Sequence, residues 1–144
     1  MKRQAFALAV GLLVSMGAAG VCHAQRPALG VNIPFSFQVG DKTLPAGEYR
    51  VQSMSAGSGD VQLIREKDGD ALTIVLTMAV DPKDAKSEPQ LIFNHYGNSY
   101  FLSQIWTGAG QGRELFKSKR EKETARGEVR TEVALLAYPS SAKP

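Results

Sequence analysis

The stretch 61–76, Val61-Gln62-Leu63-Ile64-Arg65-Glu66-Lys67-Asp68-Gly69-Asp70-Ala71-Leu72-Thr73-Ile74-Val75-Leu76, places two aliphatic runs on either side of Asp-Gly. Asp-Gly is the strongest two-residue hairpin signal, because a type I′ turn needs positive φ at both central positions. Centring the turn there fixes a register. Lys67 stands opposite Asp70, Arg65 opposite Leu72, Leu63 opposite Ile74 and Val61 opposite Leu76. A slip of one residue would turn the aliphatic set to the other face. The reading expects that set, with Leu63, Ile74 and Leu76, to face the core.

Working toward the N-terminus, Val31, Ile33, Phe35, Phe37 and Val39 alternate with Asn32, Pro34, Ser36 and Gln38. Period two over nine residues predicts a half-buried strand. Pro34 has no N–H to donate, which puts this strand at an edge or pairs it on one side there. Leu44-Pro45-Ala46-Gly47 predicts a turn, and 48–54 a second strand with Tyr49 and Val51 on one face. Residues 55–60 predict a loop.

Toward the C-terminus, 81–90 is a polar loop bracketed by Pro82 and Pro89. Residues 91–96 and 99–107 flank Gly97-Asn98, a second hairpin tip. Its register sets Tyr100 opposite His95, Leu102 opposite Phe93 and Gln104 opposite Leu91. The glycine run 108–112 reads as a connector, and 113–126 as a charged helix of strong helix formers stopped by Gly127. Residues 128–138 predict the last strand and 139–144 a tail. Together these predict an all-β fold: a small antiparallel barrel or sandwich of about seven strands, with one charged helix before the last strand. Phe35, Phe37, Leu63, Ile74, Leu76, Phe93 and Leu135 are the expected buried set, and 117–123 the expected exposed one.

The first residues belong to a different pattern. Met1-Lys2-Arg3-Gln4 is a basic head, Ala5 to Gly20 is apolar and small, and Val21-Cys22-His23-Ala24 ends in the small-residue form of a signal-peptidase site. The expectation is a cleaved signal peptide over 1–24 and a single β domain over 25–144, exported to the periplasm or the exterior. The chain has 144 residues and a net charge of +3. Cleavage leaves 120 residues (144 less 24), with 15 basic against 14 acidic side chains, net +1. The basic balance is therefore mostly a property of the leader, and nucleic acid is not implied as a partner. Cys22 and His23 leave with it, so the mature chain has no cysteine and only His95. That excludes a disulfide framework or a His/Cys zinc cluster within the domain. A chain of this length buries about two-thirds of its unfolded surface, enough for a core.

Chemistry-bearing groups are few. His95 has Tyr100 and Asn94 as its nearest expected neighbours, and neither makes a catalytic triad. Glu66, Asp68 and Asp70 lack the spacing and distal Glu of a calcium loop. The glycine run lacks the third glycine of a dinucleotide loop, which is Arg113 here, and the Lys-Ser/Thr of a phosphate loop. No catalytic residue, metal ligand or cofactor site is assigned. The candidate ligand or surface contacts are His95, Tyr96, Tyr100 and Trp106 on the second hairpin, and Arg113 and Lys119 on the charged segment. Between 113 and 126 that segment holds six basic and three acidic side chains, a surface suited to anionic envelope lipid or acidic polymer.

Pro34-Phe35-Ser36-Phe37-Gln38-Val39-Gly40 and Leu44-Pro45-Ala46-Gly47-Glu48-Tyr49 resemble the opening of a group of small exported bacterial proteins of unknown function. They share a P-F-x-F-x-V-G and L-P-A-G-x-Y pattern, and Tyr100 to Thr107 (YFLSQIWT) is similar to their later segment. The resemblance implies export and a compact β domain, and carries over no functional residue. The sequence thus reads as an exported, non-catalytic binding or envelope-associated module. The rivals are a small-molecule or lipid carrier, with a cavity lined by Phe35, Phe37, Leu63, Ile74, Phe93 and Trp106, and a hydrolase, for which no nucleophile–base pair is visible.

Overall fold

The computed structural model describes residues 28–54, 60–108 and 110–140. The expected signal peptide, most of the 55–60 loop and the end of the tail lie outside the described residues. The strands are β1 (Ala28–Ile33), β2 (Phe37–Val39), β3 (Lys42–Leu44), β4 (Gly47–Ser53), β5 (Val61–Glu66), β6 (Leu72–Ala79), β7 (Gln90–Tyr96), β8 (Ser99–Gly108), β9 (Gln111–Leu115), β10 (Arg130–Leu136) and β11 (Tyr138–Ser140). One short helix, α1 (Lys119–Thr124), precedes β10. The fold is all-β, with eleven strand segments where about seven were expected: the first and last expected strands each divide in two, and β3 and β9 form outside the expected strands.

The hydrogen-bonded path runs β10-β7-β8-β9-β6-β5-β4-β1-β11 and is not closed. Two strands turn its corners. The first part of β6 pairs with β5 and its last three residues pair with β9. β10 pairs with β7 and β11 with β1, and only Ala137 separates β10 from β11. The ends of the path are thus one run of chain. Strands that switch sheets at corners are the usual device for folding one sheet into a sandwich.

The 31–39 strand is two strands. Val31, Ile33, Phe37 and Val39 all point inward as the alternation requires, each no more than 1% exposed. The chain bends at Pro34 to Ser36, so β1 pairs with β4 in one half while β2 pairs with β3 and touches β8 in the other. A proline cannot extend the ladder, and Ser36 Oγ donates to the Leu44 carbonyl instead.

The 61–76 hairpin keeps its expected register, Val61 to Leu76, Leu63 to Ile74 and Arg65 to Leu72. Its turn differs. Gly69 has no left-handed φ, so the tip is not type I′. It is a four-residue loop closed by Glu66 N–H to the Ala71 carbonyl, while Lys67 N–H bonds Glu48 on β4. The direction of its faces also differs: Ile74 and Leu76 are outside, 56% and 65% exposed, and Leu63 is half-buried. β4 decides this. Val51 stands beside Ile64, and the pair carries the inner face across with Tyr49.

In the second hairpin Tyr100 faces His95 and Leu102 faces Phe93, as expected. Below them a bulge shifts the ladder, so Gln104 faces Ile92 rather than Leu91. The glycine run is a turn, with Gly108 and Gly110 at φ of 94° and 72°, and it leads into β9 rather than a helix. The helix of 113–126 shrinks to α1, because Arg113 and Glu114 are paired on both sides, with β8 and with β6, and Leu115 is paired with β6. The expected tail begins later too, since Pro139 and Ser140 belong to β11.

The core joins both halves. Phe93, with no exposure, meets Phe35 and Phe37 edge-on at 5.2 and 5.5 Å, and Phe37 meets Tyr49 edge-on at 5.0 Å. Such edge-to-face contacts add about 0.5–1.5 kcal/mol each beyond burial. Phe35 and Leu135 are half-buried at its margin.

Candidate functional site

Helix α1 lies against the outer face of β7, and one acidic side chain fixes it there. Ser118 begins the helix in an extended conformation, and its Oγ accepts from Glu121 N–H at 3.1 Å. This is the Ser-x-x-Glu spacing of a capping box. The Glu121 side chain does not complete the box but turns into the sheet. Its Oε1 accepts from Asn94 Nδ2 at 2.8 Å and from the Tyr96 hydroxyl at 3.3 Å. Glu121 is 4% exposed, a correction to the expectation that 117–123 is exposed throughout. Burial, and then the nearby Glu121 charge, push the Tyr96 hydroxyl above its ordinary pKa. Asn94 Oδ1 has no hydrogen-bond partner among the described residues.

With Glu121 withdrawn, the outer surface of this segment is strongly basic. Lys117, Lys119, Arg120 and Lys122 are exposed, and Glu123 is the one acid among them. Lys119, a candidate contact, thus belongs to a cationic face. The other candidates do not join it. His95 and Tyr100 stack at 4.1 Å, and Tyr100 stacks on Phe35 at 3.8 Å, forming a three-ring stack at the margin of the core. Thr131 Oγ1 lies 3.3 Å from His95 Nδ1. Tyr96 is buried under α1 on the opposite face. Trp106 is 1% exposed, and its Nε1 donates to Gln104 at 2.9 Å. Arg113 turns inward, donating to Thr77 Oγ1 and its carbonyl at 3.2 Å and pairing with Asp60. These hairpin aromatics and Arg113 hold the fold together and form no common surface.

A shallow cleft of about 360 Å³ lies on the other half, lined by Gly30, Glu48, Arg50, Lys67, Tyr138 and Ser140 among others. Tyr138 lies flat over Gly30, where any side chain would collide with its ring. Its hydroxyl donates to Glu48, which Lys67 Nζ also meets at 3.0 Å. These two hydrogen bonds, Tyr138 first, hold the Glu48 carboxyl below its ordinary value of 4.5, and Glu48 raises both Lys67 and Tyr138. A lowered carboxyl contributes stability above its unfolded pKa that is lost as pH falls through the folded value; the raised pair contributes stability below 10 that is lost as pH rises. Glu48→Gln is therefore expected to flatten a thermal-stability profile below pH 4.5 and again above pH 10 relative to wild type. Parallel profiles across both windows would show that the triad contributes nothing. The sequence reading missed this cluster, since its members lie 19 and 90 residues apart.

Ile74 faces outward, so the carrier's expected lining is not assembled around one interior space. Among the described residues no group of three His, Cys, Asp or Glu side chains is placed to hold a metal ion, and no helix is long and apolar enough to cross a membrane. No family model, no curated protein and no solved structure matches the chain.

Proposed function

We propose that the protein is an exported, non-catalytic, envelope-associated binding module that meets anionic surfaces through α1. The observation that carries this reading is the burial of Glu121. It removes the one acid that would break the row of Lys117, Lys119, Arg120 and Lys122, and it anchors that row on a rigid sheet. Export rests on the charged head, apolar middle and small-residue exit of 1–24, and on the resemblance of the 34–49 and 100–107 motifs to exported proteins.

Each basic side chain near an anionic bilayer contributes about 1 kcal/mol. Reversing Lys119 and Lys122 to Glu is expected to weaken co-sedimentation with phosphatidylglycerol vesicles at least about tenfold. Folding stability should stay within about 0.5 kcal/mol, as for surface substitutions generally. Purely zwitterionic vesicles should bind neither form, and a soluble polyanion should compete if the target is an acidic polymer. Unchanged vesicle binding by the reversed variant would sink the reading.

A further inference from the structure

The outer face of β6 carries Leu72, Ile74, Leu76 and Met78, exposed by 41%, 56%, 65% and 40%. Leu63 and Val61 on β5 stand beside Ile74 and Leu76. Together they form a patch on the order of 400 Å², the size at which an exposed apolar area on a monomer is often functional. We infer that this face is the self-association surface of the protein, and that its occupant is a second copy of the same chain.

Charge placement selects that occupant and its orientation. On either side of Leu72 the flanking groups are basic. Arg65 stands opposite Leu72 on β5. Lys42 Nζ donates to the Leu72 carbonyl at 3.4 Å, and that carbonyl points to the flank of β6 away from β5. At the Met78 end the flanking group away from β5 is acidic. Glu114 stands opposite Met78 on β9. A two-fold axis lying in the interface and crossing β6 at Val75 stacks two such faces with their β6 strands antiparallel. Leu72 then lies over Met78 of the second copy, and Ile74 over Leu76. On the flank away from β5, Lys42 of each copy meets Glu114 of the other. Stacking with the strands parallel sets like charges together and is disfavoured. A standard interface buries about 800 Å² per partner, a little over half of it apolar. The aliphatic stripe with its charged rim matches that composition.

The test is sedimentation equilibrium of the mature chain. Wild type is expected to show a monomer–dimer equilibrium in the micromolar range, and a chain that stays monomeric at about 1 mM overturns the inference. Lys42→Glu and Glu114→Lys are each expected to weaken self-association about tenfold or more, because each places like charges together twice in the dimer. An equimolar mixture of the two is expected to regain wild-type affinity as a heterodimer, since every contact is again between opposite charges. A mixture no tighter than either variant alone overturns the antiparallel second copy. Ile74→Asp with Leu76→Asp is expected to abolish the dimer while leaving the far-ultraviolet spectrum unchanged; a dimer that survives it overturns the surface. Anionic vesicle binding uses α1 and not β6, so the two proposals fail separately.

Discussion

Phe93→Ala is expected to destabilise the domain by about 3–5 kcal/mol, the range for truncating a fully buried aromatic side chain. Phe93 has no exposure and touches Phe35 and Phe37 by their edges. Phe37 in turn meets Tyr49 on β4, so the ring cluster links one half of the sandwich to the other. The site cannot collapse cheaply. β7 is held by β8 on one side and β10 on the other, with Phe93 opposite both Leu102 and Val133. A strand paired on both edges cannot drift inward to refill the space, so most of the cavity cost stays. For a domain of this size the melting temperature should fall by on the order of 15 °C. Phe93→Leu keeps most of the volume and should cost less than about 1.5 kcal/mol. Denaturant unfolding of the three proteins checks the prediction. A loss under about 1 kcal/mol for the alanine variant would show that the two halves are held together elsewhere.

The alternation that buries Phe93 and Phe37 was legible in the sequence, and so was the centre of each hairpin. Positions 65 and 72, 63 and 74, and 61 and 76 pair about Asp68-Gly69 whatever the turn type. That is why the register held although the tip is a four-residue loop. The direction of the faces was not legible. β5 and β6 carry aliphatic residues on both sides: Ile64 and Val75 inside, Leu63, Ile74 and Leu76 outside. Periodicity names a face without saying which way it points. The inward choice comes from β4, where Tyr49 and Val51 have no apolar rivals on their other side. Threonines then fill the inner face of β6 without penalty, since Thr77 Oγ1 donates to the Asp60 carbonyl. Composition favours helix over 113–126, but pairing with β6 decides its first three residues, and β8 adds to it at Arg113 and Glu114. The true start of the helix was available in Ser118-Lys119-Arg120-Glu121, a capping-box spacing. The inward turn of Glu121 was not, since a single acid within a basic run carries no mark of burial.

Glu121→Ala is expected to cost about 2–4 kcal/mol, although it sits in a six-residue helix that composition alone would place in solvent. Its carboxylate is the acceptor for both Asn94 Nδ2 and the Tyr96 hydroxyl, and each of those residues is only 2% exposed. Removing the acceptor leaves two buried donors without partners, at about 1–3 kcal/mol each. Asn94 is poorly placed to absorb the change, because its Oδ1 already lacks a partner. Helix α1 supplies little stability of its own, being far shorter than the dozen residues a free helix needs. Once Glu121 lets go, residues 117–126 should lose hydrogen-exchange protection while β7 and β8 keep theirs. Ser118→Ala separates the two jobs of the segment: it removes the cap for about 1 kcal/mol and leaves the carboxylate in place. Glu121→Gln keeps one acceptor oxygen and should fall between wild type and alanine. Combining Glu121→Ala with Tyr96→Phe should cost less than the two separately, because the second change removes a donor that the first has orphaned. Full additivity of that pair would show that the hydroxyl and the carboxylate do not depend on each other, and that α1 is held on the sheet by other contacts.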